Sequence, residues 1–541
     1  MPDKIRMTSF QPRGSSLRRS KRNNIGTSTN DLNCLVADAA GRLHDVEKCS
    51  PCQASAKRGS LAPPPPKDAV YMRRHAGLFH CVCLIVGASI GPNIFLSPSV
   101  FIANSTSVWS SSVLIVLCGA LCTIAALCYA DLITAFKESG GELIFFYRPL
   151  GDRAAYIQVW MSLVVARTGG AAVAGLVFAS LLVSPFYPTS SLGTPKALIR
   201  IVATITLLGI FYVNCMSVRW TLRLQVVFTA VKVAGLLFII VGAIITISQG
   251  KTDVWHHSLS YRADFEFSKL ARAFFNIINL FIGWMVIAFI AEDIKDLDRT
   301  VPLAMLISLP LITIIYVAVN FGFLAVLTPE EVMSQQSIST IFANRVLGDT
   351  WAWLMPVTVA VSTLSSFNGL VMGSGRLLMV ASRLRCAPEI WSMLSVKRHT
   401  PIAGFLTYIP ITLVMIHIDG LTWILSQLAS FAWISVAVAC LVLLLMKKKV
   451  PEIHRPYEVP KSFPITFLII SLVLFGYSVY LNPIAVVVTF SVAFLIVPLK
   501  KLSDKVFQMN PQLERRGERV TLFLQKLLMV VHQEIDNECS T

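Results

Sequence analysis

Apolar runs recur along the chain, most about 20 residues long, at 78–103, 110–135, 155–186, 198–216, 224–248, 270–291, 303–327, 351–380, 402–418, 423–446, 463–481 and 484–499. A hydrocarbon core about 30 Å thick takes roughly 20 apolar helical residues per crossing, so each run predicts one membrane helix. Barrel strands would instead alternate every second residue over short segments, and that pattern is absent. The pattern predicts an all-α polytopic membrane protein with twelve transmembrane helices over residues 78–499. Residues 1–77 are polar, rich in Ser and Arg, and close on Pro63 to Pro66. That composition predicts a disordered basic tail ending in a polyproline spacer. Residues 500–541 are expected to form a second tail with a short amphipathic helix. No secretory leader is expected, because no apolar core follows the early basic residues before Leu78.

Composition agrees with the pattern. Of 541 residues, 55% are hydrophobic and 14% charged, with a mean hydropathy of +0.66; soluble chains run near 25% charged. The formal charge of +17 would suit nucleic acid, but its placement excludes that partner and points to the lipid bilayer. The cations lie in the tails and in alternate loops: Lys137, Arg148 and Arg153; Arg219 and Arg223; Arg383, Arg385, Lys397 and Arg398; Lys447, Lys448, Lys449, Arg455 and Lys461. The opposite loops around Ser105, Asp419 and Asn482 hold none, and the 249–269 loop offsets Lys251, Arg262 and Lys269 with acidic neighbours. By the positive-inside rule both termini are expected in the cytosol, with the plasma membrane as the expected location.

Of twelve cysteines, Cys34, Cys49, Cys52 and Cys539 lie in the tails, and no external loop holds one. No external disulfide is therefore expected. Cys49-Ser-Pro-Cys52, with Cys34 and His44 upstream, has the spacing of a zinc site, but thiols in a disordered tail are the plainer reading. No metal and no cofactor are expected, and no enzymatic chemistry.

The first span breaks in its middle, at Gly87-Ala-Ser-Ile-Gly-Pro-Asn-Ile-Phe-Leu-Ser-Pro98. A packing kink would need one Pro or Gly; two of each predict an interrupted helix. At membrane depth such backbone is tolerated only where it lines a cavity or meets protein, and secondary transporters use it to hold carboxylates and ions. The sixth span carries a weaker echo, Asn276-Ile-Ile-Asn279-Leu-Phe-Ile-Gly283-Trp284, although Asn also serves as interhelical glue.

Three ionisable residues lie at or near membrane depth. Lys232 stands about eight residues into the fifth span, roughly 12 Å of rise, and either is buried with a functional role or snorkels to the interface. Arg167, inside the third span, is an ion partner or a gate. Glu292, followed by Asp293, ends the sixth span as a gate or loop anchor.

At family level the chain resembles the L-type amino-acid transporters, light chains of heteromeric transporters in the amino acid–polyamine–organocation superfamily. The matching blocks are Leu127-Cys-Tyr-Ala-Asp-Leu132 with Ser139-Gly-Gly-Glu142, Val213-Asn-Cys-Met-Ser-Val-Arg-Trp220, Phe228-Thr-Ala-Val-Lys232 and Val301-Pro-Leu-Ala304. They continue through Ser365-Ser-Phe-Asn-Gly369, Ser382-Arg383, Pro451-Glu-Ile-His-Arg-Pro456 and Gln525-Lys-Leu-Leu-Met-Val-Val-His-Gln-Glu534. The resemblance implies a LeuT-like 5+5 inverted repeat plus two helices. It implies a substrate site of Ser89, Ile90, Gly91, Pro92, Asn93 and Ile94 facing Asn279, Leu280, Phe281, Ile282 and Gly283. It also implies that Lys232 is the coupling residue, in the place where sodium-dependent relatives hold a cation.

The departures from the family pattern matter as much. A family cysteine that follows a Pro-Thr pair and links a single-span glycoprotein is here Ser190, after Pro188-Thr189. No disulfide-linked heavy chain is therefore expected, although a non-covalent partner fits the retained carboxyl-terminal block. The family's Gly–small–Gly in the first span is Gly91, Pro92 and Asn93. In the sixth span an aromatic gate is replaced by Asn279, a small residue by Ile282 and an Asn by Met285. The resulting expectation is a sodium-independent amino-acid transporter, uniporter or exchanger, for neutral amino acids and working by alternating access. The alternative is a membrane amino-acid sensor that keeps the fold without transport.

Overall fold

The computed structural model describes residues 74–532, apart from 96, 184–185, 188–194, 251, 263, 334–337, 349, 419–420, 450–454, 485, 489, 492, 497, 499 and 501–510. Ser190 and the four tail cysteines lie outside the described residues. The eight described cysteines are all free.

The first apolar run is not one helix. It divides into α1 (Leu78–Ser89), a 3-10 turn (Pro92–Phe95) and α2 (Ser97–Ala103). α3 (Val108–Phe136) starts on a capping box in which Ser107 and Ser110 exchange hydrogen bonds, and stops at Lys137 in the left-handed region, φ 55°. α4 (Glu142–Leu150) folds a segment read from sequence as a loop. α5 (Asp152–Met161) runs through a wide π turn (Ser162–Arg167) into α6 (Thr168–Val183).

α7 (Lys196–Met216) and α8 (Val218–Ser248) follow. The short α9 (Asp253–Ser260) lies in the long loop before the sixth span. That span comprises α10 (Phe267–Leu280) and a 3-10 stretch (Ile282–Asp293). α11 (Leu297–Val326) precedes two further unpredicted helices, α12 (Pro329–Met333) and α13 (Ile338–Leu347). α14 (Leu354–Arg383), β1 (Leu394–Ser395), α15 (Ile402–His417), α16 (Leu421–Lys449), α17 (Ser462–Leu481), α18 (Pro511–Leu528) and β2 (Val530–Val531) complete the order.

Among the described residues, nine helical stretches are long and apolar enough to cross a membrane. α1, α15 and a segment at Val486–Ile496 are apolar but shorter. The outer surface is greasy: Val227, Val231, Leu237, Val241 and Ile244 of α8 are all exposed. The opposite stripe of the same helix buries Gln225, Thr229, Lys232 and Ile239. A helix oily outside and polar inside fits a bilayer as solvent, and the chain is a multi-pass membrane protein.

α1 occupies the centre, packed on α8, α11, α14 and the 3-10 stretch after α10. At the end of the bundle where His75 and Val530 lie, ion pairs tie the elements together. Arg383 meets Glu292 at 3.0 Å and Lys447 meets Asp131 at 3.2 Å. Arg376 meets Asp293, with both side chains buried. β1 and β2 pair antiparallel, Leu394 with Val531 and Ser395 with Val530. The carboxyl-terminal segment is thereby clipped onto the loop after α14.

Candidate functional site

The break in α1 follows from its sequence. Gly91 N turns back to Ser89 O at 3.0 Å, and Pro92 has no N–H to offer. The carbonyls released by this interruption are collected by side chains of neighbouring helices. Gly87 O accepts from Lys232 Nζ at 2.7 Å, Ser366 Oγ at 3.2 Å and Ser365 Oγ at 3.3 Å. Ile90 O accepts from Ser362 Oγ at 3.4 Å. Earlier in α1, Thr229 Oγ1 donates to Cys83 O at 3.1 Å. Lys232 is fully buried, so the snorkelling alternative is set aside.

The second break lies against the first. A side chain at Gly283 would overlap the backbone of Ala88 and Ser89, so the absence of a Cβ there is what lets the two interrupted segments touch. One hydroxyl spans both: Tyr316 Oη of α11 lies 3.0 Å from Ser89 O and 3.2 Å from Leu280 O. Its ring packs on Phe281, with centroids 4.9 Å apart. Two buried donors at the junction, Ser89 Oγ and Trp284 Nε1, have no hydrogen-bond partner among the described residues.

The expected site residues divide. Ser89, Ile90, Ile94 and Phe281 are buried, Gly91, Pro92, Leu280, Ile282 and Gly283 half-buried, and Asn93 exposed. Ser89 and Gly283 meet at the junction. The Asn279 amide is engaged within the bundle: it donates to Phe275 O at 2.6 Å and accepts from Trp433 Nε1 of α16 at 3.2 Å.

Arg167 is buried; among the described residues it makes no direct ion pair, but it lies near enough to buried Glu142 for their charges to attract. Its guanidinium stacks on the Phe289 ring at 3.6 Å from the centroid and donates to Leu370 O at 3.2 Å. Glu292 ties three segments together: besides pairing with Arg383, it accepts from Ser139 N at 3.2 Å, and its own N–H donates to Ser139 Oγ at 2.9 Å.

Sequence reasoning missed Tyr316, Trp433 and a buried amide relay. In the relay Asn214 Nδ2 donates to Asn368 Oδ1 at 3.1 Å, and Asn368 Nδ2 to Gln225 Oε1 at 2.8 Å. A signal for the relay was present, because Gln225, Thr229 and Lys232 fall four and three residues apart on one helix face.

A multi-pass bundle organised around two discontinuous helices, with their freed carbonyls satisfied internally, has the architecture of a secondary transporter. The sequence pattern of the amino acid permease family matches residues 77–504, and the chain belongs to that family. It is 31% identical to the cystine/glutamate transporter of Homo sapiens over 87% of this chain and 93% of that protein. It is 31% identical to the b(0,+)-type amino acid transporter 1 of Mus musculus over 86% and 95%. With the large neutral amino acids transporter small subunit 2 of Homo sapiens it shares 29% over 87% and 88%. These relatives are transporters rather than enzymes.

Proposed function

We infer that this protein carries amino acids across the plasma membrane by alternating access, without sodium, as a uniporter or exchanger for neutral amino acids. The reading takes the chain as twelve crossings in a 5+5 inverted repeat plus two helices, with both termini cytosolic. The observation that carries it is the junction of the two breaks, where buried Ser89 Oγ and Trp284 Nε1 lack partners among the described residues beside half-unwound backbone. Buried polar groups left unsatisfied are rare, and at a helix break they suit a polar guest. Lys232 Nζ on Gly87 O puts a fixed amine where a coupling cation would otherwise bind freed carbonyls, which supports independence from sodium. Asn93, exposed beside Pro92, supplies amide donors to a substrate carboxylate in place of the missing N–H. Trp433 holds Asn279, so the amide shapes the wall of the pocket. With Lys232 and Arg167 both engaged, the breaks offer no spare charge to a charged side chain, which favours neutral substrates. No heavy chain would be disulfide-linked through Ser190; a partner would associate non-covalently.

The test is uptake of a panel of labelled amino acids into liposomes holding purified protein, with and without preloaded substrate and sodium. Saturable, sodium-independent flux of neutral amino acids is expected, with weaker affinity in Asn93→Gly and altered selectivity in Asn279→Phe. Binding without flux would mark a sensor, and preference for cystine or glutamate would refute the neutral assignment.

A further inference from the structure

Two adjoining cavities open on the end of the bundle where His75 and the start of α8 lie. One, of 240 Å³, is lined by His75, Ser217, Arg219, Lys397 and Arg398 among others. The other, of 370 Å³, also takes in His75 and Arg219 and adds Arg223 and Lys295. Five Lys or Arg side chains thus converge from three parts of the chain: the start of α8, the segment before α11 and the loop after β1. Among the described residues no Asp or Glu lines either cavity. Other cations at this end face carboxylates, as in Lys137 with Asp298, Arg383 with Glu292 and Arg455 with Glu458. A solvated basic face serving only membrane orientation would have no reason to gather five cations around two shared cavities with no carboxylate among the described lining residues.

The frame that holds the cations is fixed by the backbone. His75 N and Ala76 N both donate to Asp293 O at 2.9 Å, and Lys295 N donates to Ala76 O at 2.9 Å. Thr400 Oγ1 reaches Cys215 O at 2.8 Å, fastening the loop after β1 to the end of α7. Ser217 is the N-cap of the 31-residue α8 and makes no side-chain capping bond. The positive end of a long helix, with its unpaired N–H groups, therefore opens into the same cavity as the guanidinium groups. Arginine forks and helix amides together match phosphate oxygens better than a single carboxylate.

We propose that the two cavities, joined at Arg219, form one site for a multiply phosphorylated anion, the chemistry shared by polyphosphoinositide headgroups and soluble inositol polyphosphates. Two lobes accept two phosphates, with Arg219 between them. Exposed Val227 and Val231 follow about two turns further along α8, which sets the site at the rim of the lipid-facing surface and within reach of a headgroup. The proposal stands apart from the transport reading and needs no flux to test.

Full-length protein in detergent is titrated with a short-chain phosphatidylinositol bisphosphate, with inositol hexakisphosphate and with short-chain phosphatidylserine. Saturable binding of a phosphorylated ligand is expected, about fivefold weaker for Arg219→Gln and roughly 25-fold weaker for Arg219→Gln with Arg398→Gln. Lys448→Gln with Lys449→Gln, away from the cavities, should leave it unchanged, and melting temperature checks that every variant is folded. Binding of the lipid alone identifies the membrane as the source, and equal binding of the hexakisphosphate identifies a soluble anion. No binding of either, equal affinity for phosphatidylserine, or indifference to Arg219 and Arg398 in folded variants overturns the proposal.

Discussion

Lys232→Met removes the buried ammonium and keeps most of its volume. In the native protein Nζ donates to Gly87 O at 2.7 Å, while Ser366 Oγ and Ser365 Oγ reach the same oxygen at 3.2 and 3.3 Å. The carbonyl therefore keeps two donors in the variant, and no buried acceptor is left unpaired. A hydrogen bond from a charged donor contributes about 1.5–3 kcal/mol net. Burying an amine among neutral groups opposes that by several kcal/mol. The two terms largely cancel, so the stability change should stay within about 2 kcal/mol of zero. A Ser or Thr would anchor α1 with less desolvation, so an amine at this position argues for a use beyond anchoring. Losing about 1.5–3 kcal/mol of positional hold on the break corresponds to a roughly 10- to 150-fold loss of transport. Melting temperature in detergent and initial uptake rate in liposomes separate the two effects. Native flux in a folded variant would refute the coupling role. A collapsed melting temperature with unstable protein would show that the lysine is an anchor only.

Tyr316→Phe keeps the ring against Phe281 but deletes the hydroxyl between Ser89 O and Leu280 O; a loss of about 1–2 kcal/mol and slower uptake are expected, and no change in either would show the bridge to be idle. Gly283→Ala sets a Cβ into the backbone of Ala88 and Ser89, which should cost roughly 3 kcal/mol or more; a variant that melts normally would contradict the close approach. Glu331 accepts from Arg345 at 2.7 and 2.9 Å and from Thr328 N at 2.9 Å, and the Arg345 hydrogen bond chiefly holds its carboxyl below the ordinary value of 4.5. A depressed folded value means this stabilisation is complete above about pH 4.5 and lost as pH falls towards the folded value. Glu331→Gln should therefore flatten the acid-side decline in melting temperature, and an unchanged profile would refute the linkage.

The membrane class and most spans were legible because lipid demands long apolar helices, and nothing else in this sequence supplies that pattern. The break in the first span was legible because Gly91 and Pro92 act on their own backbone, without needing a distant partner. Lys232 could be placed on a polar face, but whether it reached a carbonyl or the interface depended on α1. The sequence could mark Asn279 as polar without showing that Trp433 of α16 claims it. The same holds for Asp293 with Arg376 and Asp131 with Lys447: a buried charge announces that it needs a partner, and only the fold says which. Helices α9, α12 and α13 were unread because they are short and lie outside the long apolar runs that carried the prediction.

The twelve residues of α1 give a rod about 18 Å long, little more than half the hydrocarbon depth. At its inner tip the continuity of the helical ladder is already lost, and the load passes to hydroxyls and an amine on other elements. Tilting this rod would break few main-chain bonds at the tip; it would exchange side-chain contacts for water, each worth about 0.5–1.5 kcal/mol net when neutral. A lever hinged on exchangeable contacts can swing for a few kcal/mol, whereas unwinding an unbroken span in lipid would expose several backbone groups at several kcal/mol apiece. The interruption thus lowers the mechanical stiffness of the bundle where the two breaks meet.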